Sequence, residues 1–341
     1  MSRRCSSTPR RLFLRANNVL RSAKKDEVSL RTELGIERLL QANCKPKIIL
    51  TATGLAARLC RRHFPEARII LWVHAPPEQR HEQQAKLAFR VADALVLPSW
   101  ALYRSLWDRF SYEEFTPPVW VIHNFVDPTK FLVPTPEQRE AARRKFGLSP
   151  NDFAIAHLSR GPVKGLQIME AALPLVDVGS RRLVLFSAGD KITGTRQLDR
   201  SHEVRRLGRI PVSELLAMYH AADLGVIPSV WFETFSLGAI EMMACGLCVV
   251  ASKSGGLPEL IRDGENGRII SSPNDVELWA SALREIINDS ALRQRLAERG
   301  NAETMMTFEG TQFYDSWTRL INALLPRDAQ PVPAGAGMER K

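Results

Sequence analysis

The chain of 341 residues contains, at positions 228–246, the stretch Pro-Ser-Val-Trp-Phe-Glu-Thr-Phe-Ser-Leu-Gly-Ala-Ile-Glu-Met-Met-Ala-Cys-Gly. A short apolar run precedes this stretch and predicts a strand, and the spacing at Leu237–Ala244 predicts a helix. The loop between them carries Glu233, and Glu241 follows eight residues later on the helix. A helix that begins near Ser236 offers unpaired N–H groups and a favourable dipole to an anion. The stretch therefore predicts a strand–loop–helix unit with two carboxylates near an anion site.

The same alternation of strand and helix repeats on both sides of a central segment. Most of the predicted strands are near-continuous apolar runs, which is typical of strands covered on both faces. This repetition predicts two α/β domains with parallel sheets. The predicted strands are Lys47–Ala52, Ile69–Val73, Ala94–Leu97, Val119–Ile122, Phe153–Leu158, Arg182–Ser187, Leu224–Ile227, Cys248–Ala251 and Arg268–Ile270, and the predicted helices include Glu137–Phe146, Val212–Ala222, Leu237–Ala244 and Val276–Asn288.

Proline content suggests where the domains end. Residues 127–150 contain four prolines around a charged helix, so we place the domain boundary within them. We expect a partial first domain at residues 46–136 and a second domain at residues 137–325. An atypical basic start, residues 1–45, precedes them. The tail, residues 326–341, is rich in Pro, Gly and Ala and is predicted to be disordered.

The positive charge is concentrated at the N-terminus. Residues 1–25 carry eight Lys or Arg and no acid, and thus account for eight of the ten net positive charges. A body that binds nucleic acid is therefore not expected. The basic arm is compatible with peripheral contact to an anionic membrane, with a targeting segment, or with a solvated helix at the start of the first domain. No apolar run is long enough to span a bilayer.

The five cysteines are scattered and odd in number, which predicts a reducing, cytoplasmic location without a disulfide framework. Cys245 and Cys248 form a C-x-x-C pair, but no second pair accompanies them. They lie between an apolar helix and a Val-Val strand. We therefore expect them to be buried structural residues rather than redox or zinc ligands.

Several common fingerprints are absent from the sequence, among them the P-loop, the dinucleotide-binding glycine motif and the D-x-D metal site. A different basic loop follows the strand Phe153–Leu158. It contains Arg160 and Lys164 beside two glycines. A planar guanidinium and a compact ammonium together suit a diphosphate. Since the carboxyl ends of parallel strands form the ligand edge of open α/β sheets, this loop and the Glu233 loop are expected at one edge.

With these residues in place, the C-terminal half resembles the retaining glycosyltransferases of family 4, also called group 1 glycosyltransferases. Their E-x7-E signature corresponds to Glu233 and Glu241, and three further motifs follow in order. The resemblance covers about residues 45–325 and is strongest beyond residue 150. It implies the GT-B fold, in which two Rossmann-like parallel-sheet domains face each other across a cleft. The further motifs are A-C-G at 244–246, G-G-x-P-E at 255–259 and D-G-x-N-G at 263–267.

The resemblance also implies roles for individual residues. Arg160 and Lys164 correspond to the residues that hold the donor diphosphate. Glu233 corresponds to the contact with donor-sugar hydroxyls, Glu241 to the contact with ribose, and His74 to a histidine that reaches the sugar from the first domain. The remaining donor-binding positions are Thr234, Phe235, Ser236 and Leu237 beside the sugar and phosphate, and Gly208, Arg209 and Ile210 along the base.

The implied function is transfer of a sugar, of hexosyltransferase type, from a nucleotide-diphosphate sugar to an acceptor with retention of anomeric configuration. No metal or other cofactor is expected. The acceptor is left open between a glycan, a lipid-linked molecule and a small molecule. Two alternatives also remain: a relic that binds the donor without efficient transfer, and a nucleotide-sugar epimerase of the same fold.

The sequence departs from the family pattern mainly in its first half. The residues before Lys47 show neither the usual first strand nor its glycine-rich loop. Phe125 stands where glycine is usual in the hinge motif, and Ser236 and Cys248 replace a frequent Gly and Pro. We therefore expect an incomplete first domain, and a chain that binds a nucleotide diphosphate but transfers sugar slowly or not at all.

Overall fold

The computed structural model describes residues 45–110 and 117–325, and within them two sheets are each flanked by helices. The strands are β1 (Ile48–Thr51), β2 (Arg68–Trp72), β3 (Ala94–Leu97), β4 (Val119–Val121), β5 (Phe153–Leu158), β6 (Leu183–Ala188), β7 (Thr193–Gln197), β8 (His202–Gly208), β9 (Leu224–Ile227), β10 (Val249–Ser252) and β11 (Arg268–Ile270). The helices are α1 (Gly54–His63), α2 (Glu82–Val91), α3 (Trp100–Trp107), α4 (Pro136–Lys145), α5 (Leu166–Ala172), α6 (Val212–Ala221), α7 (Leu237–Ala244), α8 (Leu257–Leu260), α9 (Val276–Asn288), α10 (Ser290–Phe308) and α11 (Thr311–Leu324).

The second sheet has the strand order β11-β10-β9-β5-β6-β8-β7. Its strands are parallel except β7, which pairs antiparallel with β8. The order reverses between β5 and β9, because β5 pairs with β9 on one side and with β6 on the other. Such a switch point opens a crevice at the carboxyl ends of the two strands, where open α/β sheets bind ligands.

The strands of the second sheet are buried on both faces. On β5, Ala154 and Ala156 pack into one apolar cluster, whereas Phe153 and Ile155 pack into the cluster on the opposite face. The second cluster contains Trp279 of α9, which is fully buried. This double burial explains why the strands read as continuous apolar runs in the sequence.

The first sheet has the order β1-β2-β3-β4, with all strands parallel. Helices α1, α2 and α3 cover one face. The other face is covered by α11, which packs Phe313, Trp317 and Leu320 against residues that include Ile70 and Trp72. The last described helix, which lies in the predicted second domain, thus returns to complete the core of the first sheet.

The predicted class, two parallel-sheet α/β domains, is confirmed. Strands β7 and β8 and helices α10 and α11 were not among the predicted elements. The region before residue 45, where the sequence is expected to lack the usual first strand, lies outside the described residues. The basic residues 1–25 and the tail after residue 325 lie outside them as well. No helix in the described ranges is both long and apolar enough to cross a membrane.

A carboxylate fixes one end of the first sheet. Asp93 lies between α2 and β3, and its Oδ2 atom accepts from Arg61 at 2.5 Å and from the amide of Ile69 at 2.7 Å. Its other oxygen accepts from Arg68 at 3.1 Å. Although burial alone raises the pKa of Asp93, these hydrogen bonds hold it below its usual value.

We predict that Asp93→Asn lowers the free energy of unfolding by about 2 kcal/mol at pH 7, since hydrogen bonds to a charged group are lost. A carboxyl pKa that is lower in the folded state stabilises above about pH 4, the unfolded value, and this contribution disappears as the pH falls further. Urea unfolding at pH 7 and pH 3 measures the free energy of unfolding of wild type and variant. Asp315→Asn, at an exposed position, is the control. A gap between wild type and Asp93→Asn that stays constant with pH contradicts the prediction.

Candidate active site

Three loops meet at the carboxyl ends of β5, β9 and β10, and two glycines allow their close approach. Gly165 has a φ of +75°, and a Cβ atom there would lie 1.8 Å from the carbonyl oxygen of Pro228. Gly255 has a φ of +52°, and a Cβ atom there would lie 2.0 Å from the carbonyl oxygen of Glu233. Only glycine fits such positions. The Glu233 loop is therefore held on both sides by backbone contact.

Lys164 and Glu233, both predicted from the sequence, are brought together here. The Oε1 atom of Glu233 accepts from the Lys164 ammonium and from the Ser229 hydroxyl. The Glu233 side chain is 11% exposed and that of Lys164 is 29% exposed. No described residue bonds to Oε2 of Glu233. The carboxylate is thus fixed through one oxygen, and the other remains available.

A buried histidine, which sequence reasoning missed, holds the loop that carries Lys164. His157 of β5 places Nε2 at 3.0 Å from the carbonyl oxygen of Lys164 and Nδ1 at 3.0 Å from Oγ of Ser187. A carbonyl oxygen only accepts, so Nε2 carries the proton and Nδ1 accepts from the hydroxyl. Burial, helped by the Lys164 charge, lowers the pKa of His157 to about 4. The ring is therefore neutral at pH 7. In the sequence, His157 differs from its neighbours only as a polar residue within an apolar strand.

Glu241 lies on α7, where it and Leu237 are the two residues that are not buried. Its Oε2 atom accepts from the hydroxyl of Tyr219 at 3.1 Å. Burial, together with the negative charge of Glu241, raises the pKa of Tyr219, so this hydroxyl stays protonated. Tyr219 therefore orients the carboxylate. Nothing in the sequence pattern of α6 distinguishes Tyr219 from an ordinary core aromatic residue.

The start of α7 is close to β5. Gly238 permits this, since a Cβ atom there would lie 2.6 Å from the Leu158 side chain. Ser236 precedes the helix, and no side chain of the described residues caps the first turn. Phe235 is buried, whereas Leu237 is 39% exposed. The carbonyl of Thr234 lies close to Gly256, which also lies close to Ser99 of the first domain.

The other predicted donor residues follow strands of the same sheet, and among the described residues none of them forms a hydrogen bond or ion pair with the side chain of Lys164 or Glu233. Arg160 is exposed and forms no ion pair with a described residue. Gly208 ends β8 with a φ of +71°, and its carbonyl accepts from Gly189 at 2.7 Å. Arg209 is exposed and Ile210 is half-buried. The loops after β6 and β8 therefore extend the edge away from the pair.

His74, the site residue predicted in the first domain, lies two residues beyond β2. Its side chain is exposed on one side, and its ring centre is 4.4 Å from that of Trp72. Desolvation by the surrounding protein lowers its pKa, which favours the neutral ring. No contact among the described residues joins His74 to Lys164 or Glu233.

Within residues 45–110 and 117–325, no group of three or more His, Cys, Asp or Glu side chains is arranged to hold a metal ion. Cys245 and Cys248 are buried free thiols, as predicted. Burial raises the pKa of each to about 12, which leaves both protonated and unreactive.

Comparison with known sequences finds the family "Glycosyl transferases group 1" at residues 138–303. The chain is 34% identical over 214 residues to the D-inositol 3-phosphate glycosyltransferase of Mycobacterium ulcerans, covering 60% of this chain and 44% of that protein. It is 30% identical over 244 residues to the protein of the same name from Corynebacterium jeikeium, covering 67% of this chain and 56% of that protein. The matched segment spans about half the length of these relatives.

Solved structures share the fold. The sucrose-phosphate synthase of Thermosynechococcus elongatus superposes with a TM-score of 0.74 at 20% identity, covering 89% of this chain and 80% of that one. The Anabaena protein HepE, solved in complex with UDP and glucose, superposes with a TM-score of 0.72 at 21% identity, covering 84% and 81%. The chain thus has the GT-B fold, and its residues 138–303 match the group 1 glycosyltransferase family.

Proposed function

We propose that this protein transfers a sugar from a nucleotide-diphosphate sugar to an acceptor, with retention of anomeric configuration and without a metal ion. The observation that carries the proposal is the fixed Glu233 carboxylate, bound to Lys164 at the switch point of the second sheet. Structures of the same fold support a nucleotide-sugar donor, since HepE was also solved with UDP-glucose and a starch synthase from Arabidopsis thaliana with ADP and acarbose.

Glu233 is proposed to bind the donor sugar through Oε2. Its Oε1 atom already accepts two hydrogen bonds, from Lys164 and Ser229, so the carboxylate cannot rotate freely. A preoriented acceptor loses little conformational freedom when a sugar hydroxyl donates to it. The side chain is largely buried, which strengthens each bond it makes.

Lys164, Arg160 and the start of α7 are proposed to stabilise the leaving diphosphate. As the bond between the anomeric carbon and the phosphate oxygen breaks, negative charge grows on that oxygen. Fixed cations and helix N–H groups lower the energy of this charge. The departing phosphate then takes the proton of the attacking acceptor hydroxyl on the same face. The sequence has no D-x-D motif, which agrees with a mechanism without metal.

Glu241 is proposed to accept hydrogen bonds from the ribose hydroxyls, with Tyr219 fixing its orientation. Gly208, Arg209 and Ile210, at the end of β8, are proposed to lie along the base. His74 is proposed to reach the donor sugar from the first domain.

Incubation with UDP-, GDP- and ADP-glucose tests the proposal, with calorimetry of the matching diphosphates. Transfer or slow hydrolysis of one donor supports the enzyme. Diphosphate binding without turnover supports the donor-binding relic, and conversion of the donor into an epimeric nucleotide sugar supports the epimerase. If no diphosphate binds, the proposed function is wrong.

We predict that Glu241→Ala weakens binding of the preferred nucleotide diphosphate by about 1–3 kcal/mol, because a charged hydrogen-bond partner is lost. Isothermal calorimetry measures the dissociation constant. Glu277→Ala, on an exposed position of α9, is the matched control and should leave the affinity unchanged. Equal affinities for both variants exclude the ribose assignment.

Arg160→Ala and Lys164→Met should both lower kcat more than they change donor affinity, since their interactions strengthen as charge develops. Their effects on stability should differ. Loss of Lys164 leaves the buried Glu233 carboxylate without its cation, at a cost of about 2 kcal/mol, whereas exposed Arg160 should cost less than about 0.5 kcal/mol.

The double variant Lys164→Met/Glu233→Gln separates these two effects. Replacing both partners removes the unpaired buried charge, so thermal stability should recover relative to Lys164→Met while turnover stays low. A rise in KM at constant kcat for either single variant contradicts the leaving-group role.

A further inference from the structure

A carboxylate of the second domain caps a helix of the first. Helix α3 begins at Trp100, and the first N–H groups of a helix have no partner within it. Glu259 of α8 accepts from the amide of Trp100 at 3.0 Å and from that of Ala101 at 2.5 Å. Ser99 accepts from the next amide, Leu102, at 3.1 Å. Two of these three caps therefore come from across the domain boundary.

The charge of Glu259 is well matched to this position. A carboxylate is favoured at a helix N-terminus by the helix dipole. The carboxylate also lies 3.3 Å from Nε2 of His123, which follows β4, and 3.8 Å from Arg104. The Glu259 side chain is only 15% exposed. Although burial alone raises the pKa of Glu259, the bonds from His123 and the two amides hold it below its usual value.

The segment that carries Glu259 also contacts the Glu233 loop. The amide of Gly256 donates to the carbonyl of Glu233 at 2.6 Å. A Cβ atom on Gly256 would lie 2.9 Å from the carbonyl oxygen of Thr234 and 3.2 Å from Cβ of Ser99. The segment is thus held between the Glu233 loop and Ser99, the residue before α3, and position 256 has no room for a side chain.

His123 makes a second connection between the same parts. Its ring lies on that of Phe235, with centres 5.8 Å apart and planes inclined by 27°. Phe235 is the second residue after Glu233 and is buried. The first domain therefore contacts the Glu233 loop through His123, and it contacts the neighbouring α8 through α3.

We propose that Glu259 is a positioning residue that fixes the first domain, and with it the acceptor side of the cleft, relative to the nucleotide-sugar site. We name its contacts with Trp100, Ala101 and His123 the interdomain cap. The inference rests on the proposed function, because it assigns the cleft between the domains to donor and acceptor. Glu259 itself is not placed in contact with the reacting atoms. Its loss should change how the acceptor is presented and not how the diphosphate binds.

The test compares Glu259→Ala and Glu259→Gln with Ser99→Ala. All three variants weaken the capping of α3, but only the first two weaken hydrogen bonds between the domains. Glu298→Gln, exposed on α10, controls for the loss of a carboxylate. Small-angle X-ray scattering measures the arrangement of the domains, and hydrogen exchange measures the protection of the Trp100 and Ala101 amides. Glu259→Gln keeps the volume of the side chain in case Glu259→Ala does not fold.

The proposal expects a larger radius of gyration for both Glu259 variants and wild-type scattering for Ser99→Ala and Glu298→Gln. It also expects exchange at Trp100 and Ala101 to be on the order of tenfold faster in the Glu259 variants, as for loss of a helix cap. Wild-type scattering of the Glu259 variants overturns the proposal. An equal expansion of Ser99→Ala also overturns it, since helix stability alone would then explain the effect.

Activity gives an independent readout. With UDP-, GDP- or ADP-glucose as donor, the ratio of transfer to hydrolysis should fall about tenfold in the Glu259 variants, while the diphosphate dissociation constant changes less than about twofold. An unchanged ratio overturns the positioning role. If no diphosphate binds the wild type, the proposed function fails, and the scattering and exchange measurements still decide whether Glu259 joins the domains.

Discussion

The site depends on one steric constraint, the contact of the Glu233 loop with backbone on both of its sides. Gly165 meets the carbonyl of Pro228, and Gly255 meets the backbone of Glu233, at distances where no Cβ atom fits. Because the glycines allow this approach, the Lys164 ammonium reaches the Glu233 carboxylate and the Gly256 amide reaches the Glu233 carbonyl. The ion pair and the interdomain cap are therefore both consequences of the same close packing.

Elements with a strong local pattern could be predicted from the sequence. The bounds of β3, β5, β9, β11, α7 and α9 match the prediction because each is an apolar or amphipathic run that ends at a distinct turn. Strand β7 could not be predicted in this way. Its five residues, Thr193–Gln197, are all exposed, and only backbone pairing with β8 makes them a strand. Helix α11 does have an apolar face, but its packing on a sheet formed some 200 residues earlier has no local signal.

In the candidate site, too, some contacts could be predicted from the sequence and others could not. The Lys164–Glu233 pair could be anticipated because both residues follow strands of one sheet, and strand ends of a parallel sheet share an edge. The capping of α3 by Glu259 could not, since its partners are backbone amides, which every residue type carries. Tyr219 and His157 also escaped prediction. Each is a buried polar group whose partner is decided by tertiary packing rather than by spacing in the chain.

Burial keeps two polar groups of this site neutral. His157 sits beneath the Lys164 loop, and its low pKa keeps it uncharged, so it holds the loop without adding a second buried cation beside the ammonium. Tyr219 similarly stays protonated, so it donates a hydrogen bond to Glu241 and adds no charge. Glu233 is largely buried, and it pairs with the Lys164 ammonium, whose side chain is 29% exposed. Burying neutral hydrogen-bonding groups and pairing a buried carboxylate with a cation costs less free energy than burying unpaired charges.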